Sequence, residues 1–201
     1  GGAGKTGVLV LRDLLRGGHG VTALVRDPMK LTVRDDNLRI VQGDARTPEA
    51  LAQTAREAQV VISALSGGQG ALAAFGTSLV PVMEREGVSR IVSLIGASVR
   101  VNGDRSAIGL TLLHALTSII AKDVLADGET YAGILLASRL DYTLVRPPRL
   151  TDGPLTGRVR HGASLRLSPL SSISRADVAA FMAKVALNGD YARATPMIVS
   201  E

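Results

Sequence analysis

The sequence predicts an α/β protein with one doubly wound parallel sheet and helices on both of its faces. Two observations carry this expectation. Short apolar runs suited to strands alternate along the whole chain with longer stretches of helical periodicity. Of the 201 residues, 46% are apolar but only 2% are aromatic, so the core must be built from Leu, Val, Ile and Ala. That composition suits strands buried on both faces. The length fits a single domain spanning 1–201, and no repeat, linker or low-complexity tract divides it.

The elements follow in order. Residues 7–17 form a helix with Val8, Leu11, Leu14 and Leu15 on one face, stopped by Gly17-Gly18. Val21–Arg26 is a strand closed by Asp27-Pro28, and Leu38–Gln42 is a second strand leading to Gly43-Asp44. Thr47 and Pro48 start a helix whose body, Ala50–Ala58, runs into the buried strand Val60–Ala64. A loop at 65–70 precedes a long helix, Leu72–Gly87, and the strand Arg90–Ile95. Residues 106–139 read as mostly helical, with a break around Asp127-Gly128. Tyr142–Arg146 is a strand stopped by Pro147-Pro148. A loop-rich stretch follows to about residue 172, then a helix Asp177–Leu187 and a last strand near Met197–Val199. Ligands bind such folds beyond the carboxyl ends of the strands, which points to the loops at 1–7, 26–30, 43–45, 64–70, 95–98 and 146–150.

The opening turn carries the sharpest chemical signal. Gly1, Gly4 and Gly7 give the spacing G-x-x-G-x-x-G. Gly1 permits a tight turn, Gly4 removes a Cβ that would strike a phosphate, and Gly7 lets the helix pack closely. A pyrophosphate would then meet the free amides of a helix N-terminus. Arg26 ends the next strand, where an acid would accept the ribose hydroxyl of NAD and an Arg pairs with the 2′-phosphate of NADP. The cofactor expected is therefore NADP(H). A strand is expected immediately before Gly1; the sequence begins inside the motif, so this first strand is missing and its neighbours should flank a gap of unpaired backbone groups. Gly4-Lys5-Thr6 also fits the end of a P-loop, but Gly7 weakens the helix that a P-loop starts. No apolar strand ends in the Asp that magnesium would need; Val60–Ile62 runs into Ser63-Ala64.

Other classes of function find little support. There is no cysteine, which excludes disulfides and thiol catalysis. His19, His114 and His161 stand in no ligand-spaced motif, so no metal is expected. The net charge of +5 is scattered, without a Lys/Arg run or interleaved aromatics, so it reads as a solvated surface rather than a nucleic-acid site. No apolar run reaches membrane-spanning length and no signal peptide is visible, which leaves a cytoplasmic location as the default. Residues 108–120 read as an apolar lid or packing helix, Asp35-Asp36 as a polar loop tip, and Ser93 as a satisfied core hydroxyl. A monomer is expected, with a dimer as the alternative.

Several segments together resemble a known family: Gly1–Gly7, Val25-Arg26-Asp27, Gly43-Asp44, Arg90–Ala97, Arg146–Gly157 and Ile173–Ala179. The chain resembles the atypical short-chain dehydrogenase/reductases with an NmrA-like NAD(P)H-binding Rossmann domain, the nearest well-known members being the biliverdin-IX-beta/flavin reductases. The resemblance implies that Gly4, Lys5 and Thr6 contact the pyrophosphate, that Arg26 and Lys30 hold the 2′-phosphate, and that Asp44 and Ala45 border the adenine. It further implies that Ala64, Leu65 and Ser66 line the ribose, and that Ile95, Gly96, Pro147, Pro148, Arg149 and Leu150 surround the nicotinamide. The loops 95–105 and 146–172 would form the substrate side. Ile95 stands where relatives often carry a hydroxyl, and Arg149 where the reductases carry a His.

The Tyr-x-x-x-Lys pair of short-chain dehydrogenases is absent: Leu135, Arg146 and Thr195 follow Tyr131, Tyr142 and Tyr191 at that spacing. Without it, no phenol of lowered pKa relays a proton to a ketone. The expected reaction is hydride transfer to a conjugated acceptor: a flavin, a quinone or a linear tetrapyrrole. Ile95 and Pro147-Pro148 would offer an apolar face, with Arg149 and Arg158 holding an anionic group of the acceptor. The competing expectation is a non-catalytic NADP(H) sensor acting through a protein partner.

Overall fold

The computed structural model describes residues 1–101 and 121–201. In chain order the elements are α1 (Lys5–Arg16), β1 (Val21–Val25), β2 (Leu38–Gln42), α2 (Pro48–Ala55), β3 (Val60–Ser63), α3 (Ala71–Arg85) and β4 (Arg90–Leu94). Then come α4 (Lys122–Ala137), β5 (Asp141–Val145), the short strands β6 (Arg149–Thr151), β7 (Val159–Gly162) and β8 (Ser172–Ser174), α5 (Arg175–Asn188) and β9 (Met197–Ser200).

All the central pairings are parallel. β1 runs beside β2 with Val21 opposite Leu38, and β3, β4 and β5 form a second group with Arg90 opposite both Val60 and Asp141. Parallel bridges at Thr143–Ala194 and Arg146–Met197 carry the sheet onward from β5 towards β9, which pairs antiparallel with β7. β6 lies parallel to β8.

The pleat sorts the core into two layers. Ile91, Tyr142 and Leu144 face α2, α3 and α4, in a cluster with Leu79, Met83, Tyr131 and Leu135. Their neighbours Val92, Leu94 and Val145 face α1 and α5, with Val10, Val178, Met182 and Val185. Alternation along a strand sends successive side chains to opposite faces, which is why one sheet can hold helices on both. Each large apolar side chain so buried contributes about 1.5–3 kcal/mol.

β1 and β3 do not pair with each other among the described residues. Between them lies a cleft of about 620 Å³, lined by the facing edges of both strands, by Val10, Leu11 and Leu14 of α1, and by Phe75 and Leu79 of α3.

Several expectations need correction. α1 begins at Lys5, not at residue 7, and α2 stops at Ala55, because Glu57 takes a positive φ of 63°. A turn of 3₁₀ helix covers Pro28–Lys30, its first amide capped by the Asp27 carboxylate. The break at Asp127-Gly128 does not exist: α4 runs unbroken through it. A Cβ on Gly128 would come within 2.8 Å of Val99 Cγ2, so this glycine serves close packing instead of a turn. The stretch after Pro148 is not all loop but contains three short strands. The expected helix over 108–120 lies outside the described residues. β1, β3, β4 and β5 each end one residue earlier than expected, so Arg26, Ala64, Ile95 and Arg146 fall just past them.

Candidate functional site

The glycine turn folds back on itself: the Gly4 amide donates to the Gly1 carbonyl at 3.0 Å. A Cβ on Gly7 would lie 2.0 Å from that same carbonyl oxygen, and one on Gly1 would lie 2.7 Å from the carbonyl of Ala64. Neither position tolerates a side chain, so the turn packs backbone against backbone, Gly7 on Gly1 and Gly1 on Ala64. Gly4 precedes α1 in extended conformation and supplies no side-chain cap. The first amides of α1 are therefore donors that an anion can satisfy. Gly4 and Lys5 are exposed, while Thr6 and Gly7 are buried beneath them.

Arg26 is exposed just beyond β1, its carbonyl accepting from the Gln42 amide at 3.4 Å at the end of β2. Arg26 lies close enough to Asp44 to bias its charge. Asp44 is taken up by Arg46, whose guanidinium grips both carboxylate oxygens at 2.9 and 2.6 Å. Those hydrogen bonds, first among the causes, hold the Asp44 carboxyl down to about 2. Ala45 is half-buried beside it. Lys30 is exposed and pairs only loosely with Asp27, at 4.0 Å.

Ala64 and Leu65 are half-buried after β3, and Ser66 is exposed. Their loop is gripped from α4: the Asp127 carboxylate accepts from the amides of Gly68 (2.7 Å), Leu72 (3.0 Å) and Ala73 (2.8 Å). Burial alone would raise this carboxyl, but those donors outweigh it and keep it below the ordinary carboxylate range. Beneath the loop, Ser93 and Tyr131 share a hydrogen bond of 2.9 Å. Burial pushes the Tyr131 phenol far above its ordinary pKa, the opposite of the lowered value a proton-relay phenol needs.

On the other side, the Ala97 amide donates to the Pro147 carbonyl at 2.8 Å and the Ile95 amide to that of Val145 at 2.9 Å, knitting the two expected nicotinamide loops together. Ile95 itself is buried in the core, Gly96 is exposed, and Pro147 and Pro148 are buried. Arg149 is exposed on β6 and Leu150 is half-buried, whereas Arg158 sits before β7, its carbonyl accepting from the Glu201 amide. Arg149 and Arg158 thus belong to different strand pairs. Residues 102–105 of the expected substrate loop lie outside the described residues.

Three carboxylates that organise these loops were not assigned from the sequence. Asp127 registers there only as a turn signal. Asp177 accepts from the amides of Thr156 (2.9 Å) and Gly157 (2.8 Å) and from the hydroxyls of Thr156 and Ser174. The spacing Ser174-x-x-Asp177 at a helix start resembles a capping box, a signal that could have found it. Asp152 pairs with Lys5 at 3.0 Å and with Arg175 at 2.6 Å.

Comparison with known proteins bears on the family and the fold. The model of a family described as NAD(P)H-binding matches residues 1–188. An uncharacterised chloroplastic protein of Arabidopsis thaliana is 31% identical over 174 residues, which are 79% of this chain and 60% of that protein. The chain thus spans about three-fifths of that relative's length. Among solved structures, ChuY, an anaerobilin reductase of Escherichia coli O157:H7, superimposes with a TM-score of 0.84 at 21% identity, covering all of this chain and 94% of that one. An oxidoreductase from Lactococcus lactis gives 0.80 at 20% identity, over all of this chain and 89% of the other. A short-chain dehydrogenase/reductase of Veillonella parvula in complex with NADP gives 0.74 at 19% identity, over 98% and 91%. At these identities the structural likenesses establish a shared Rossmann fold. No helix among the described residues is long and apolar enough to cross a membrane.

Proposed function

The chain belongs to the NAD(P)H-binding family, and on that premise we propose that it is an NADPH-dependent reductase of a conjugated acceptor such as a flavin, a quinone or a linear tetrapyrrole. The observation that carries this reading is the pairing of the uncapped start of α1 with an exposed Arg26 just past β1. Glycines at 1 and 7 let the turn close tightly on itself and on Ala64; the uncapped helix start so presented suits a pyrophosphate, and a guanidinium suits a 2′-phosphate. Bound NADPH supplies a hydride, and a conjugated acceptor takes its accompanying proton from water. The chain's own part is positioning. Gly4, Lys5 and Thr6 hold the pyrophosphate, Arg26 with Lys30 the 2′-phosphate, and Ala64, Leu65 and Ser66 the ribose. Asp44 and Ala45 border the adenine. The backbone of 95–97 and the packed Pro147-Pro148 segment set the nicotinamide end. Arg149 offers an anionic anchor to the acceptor. A buried Tyr131 and the absence of any Tyr-x-x-x-Lys pair remove the proton relay that short-chain dehydrogenases use on a ketone.

The buried Ile95, with no hydroxyl to offer at the nicotinamide end, favours a second reading: an NADP(H) sensor without turnover. One screen separates the two, following NADPH oxidation against a panel of flavins, quinones and bilins. Turnover with any of them supports the reductase; binding without turnover on any supports the sensor. The cofactor itself is tested by Arg26→Asp, which should weaken NADPH by on the order of 2–4 kcal/mol while hardly touching NADH. Equal weakening of both would remove Arg26 from the 2′-phosphate.

A further inference from the structure

Asp152 stands between two helix starts. Its two carboxylate oxygens reach Lys5, the first residue of α1, at 3.0 Å, and Arg175, the first residue of α5, at 2.6 Å. The two helices pack against each other, so the carboxylate bridges a preformed corner. Its two arms differ in their access to water. The Arg175 side chain is 23% exposed, but that of Lys5 is 71% exposed, so the lysine arm is the one that water and ions loosen first. The loop that carries Asp152 is held a second time to α5, where Asp177 grips Thr156 and Gly157. The tie to α5 is thus doubled, while the tie to the glycine turn passes through Lys5.

Lys5 follows Gly4 directly, beside the uncapped amides. A dinucleotide's pyrophosphate there would meet a lysine already engaged by a carboxylate. We propose that Asp152 is a built-in competitor for Lys5: it holds the ammonium across the mouth of the glycine turn, and a bound pyrophosphate must draw Lys5 away from it. Asp152 then sets the affinity for the cofactor and its dependence on salt, while its pairing with Arg175 keeps the loop in place as Lys5 turns. This inference rests on the dinucleotide reading above.

The test is NADPH titration of the wild type, Asp152→Asn, Lys5→Gln and the double variant, each at low and at high salt. Asp152→Asn keeps the shape of the side chain and should tighten NADPH about two- to fivefold at low salt, the range set by an exposed ion pair. The gain should shrink at high salt and disappear in the Lys5→Gln background, a non-additivity that marks direct coupling. An equal gain with and without Lys5 would mean that Asp152 acts only as a nearby like charge, and would overturn the competition. Weaker binding by Asp152→Asn would overturn it as well. A wild type that binds NADPH and is indifferent to Asp152→Asn sinks the competition alone. Absence of NADPH binding in every form, wild type included, sinks the cofactor site and the competition together.

Discussion

The loops at 64–70 and 152–157 are both held by aspartates, yet they are held in different ways. Asp127 reaches its loop from a helix more than fifty residues further along the chain, and it lies only 5% exposed. It spends its carboxylate entirely on amides, two of them in the first turn of α3, whose own N-cap, Gly70, offers no side chain. A distant acid thus does the work of a local cap, and loop and helix are fixed in one stroke. Asp177 grips 156–157 from about twenty residues away, and those residues are exposed. The other end of that loop hangs on the Asp152 ion pairs. Both carboxylates are buried; the difference lies in what they hold, a buried helix start on the 64–70 side and exposed loop residues on the 152–157 side.

The largest expected effect breaks the first loop. Asp127→Ala leaves three amide donors without their acceptor, two of them at a helix start, and should cost on the order of 3 kcal/mol of stability. Denaturant unfolding would read this as a lower midpoint at unchanged slope. A change within about 0.5 kcal/mol, the range of an ordinary surface substitution, would mean that the grip is incidental.

The matching change on the other side is smaller. In Asp177→Ala the Thr156 and Gly157 amides can turn to water, because the loop is exposed, so the stability lost should be about 1–2 kcal/mol. Part of that is the lost reciprocal contact with Ser174 at the start of α5. The local consequence should be plainer than the global one: limited proteolysis near 155–158 should quicken, as expected of a segment opening on its own. If both variants lose the same stability and neither loop becomes more cleavable, the contrast between the two sides is wrong.

This contrast marks the boundary of what the amino-acid sequence discloses. β2 occupies Leu38–Gln42 as expected, because a short apolar run between turn residues leaves little choice. The glycine turn is legible for a similar reason: spacing alone demands a backbone free of side chains at Gly1 and Gly7. Asp127-Gly128 misleads because the local turn signal is overridden by packing: the acid satisfies another segment and the glycine makes room for Val99. β6, β7 and β8 are three or four residues long and owe their existence to distant partners, so they carry no period to detect. The partners Asp152 and Lys5 lie 147 residues apart, and only the docking of α1 on α5 brings them together.

Acid should sharpen the comparison with the smallest effect. For both Asp127 and Asp177 burial works to raise the carboxyl and hydrogen bonds work to lower it; for both the bonds prevail, so each titrates below its ordinary value in the folded protein. On unfolding, each returns to the usual carboxylate value near 4. A depressed folded pKa contributes stability that is whole above the unfolded value and disappears as pH falls through the folded one. The window therefore lies below about pH 4, and each unit of depression is worth about 1.4 kcal/mol within it. Unfolding midpoints should hold steady from neutrality to about pH 5 and then decline. Asp127→Asn should flatten that decline in the global midpoint, since its grip spans the fold. Asp177→Asn should instead flatten the acid-induced cleavage near 155–158 and leave most of the global decline in place. An acid limb that is the same in both variants as in the wild type would show that neither carboxylate is held by its amides in solution.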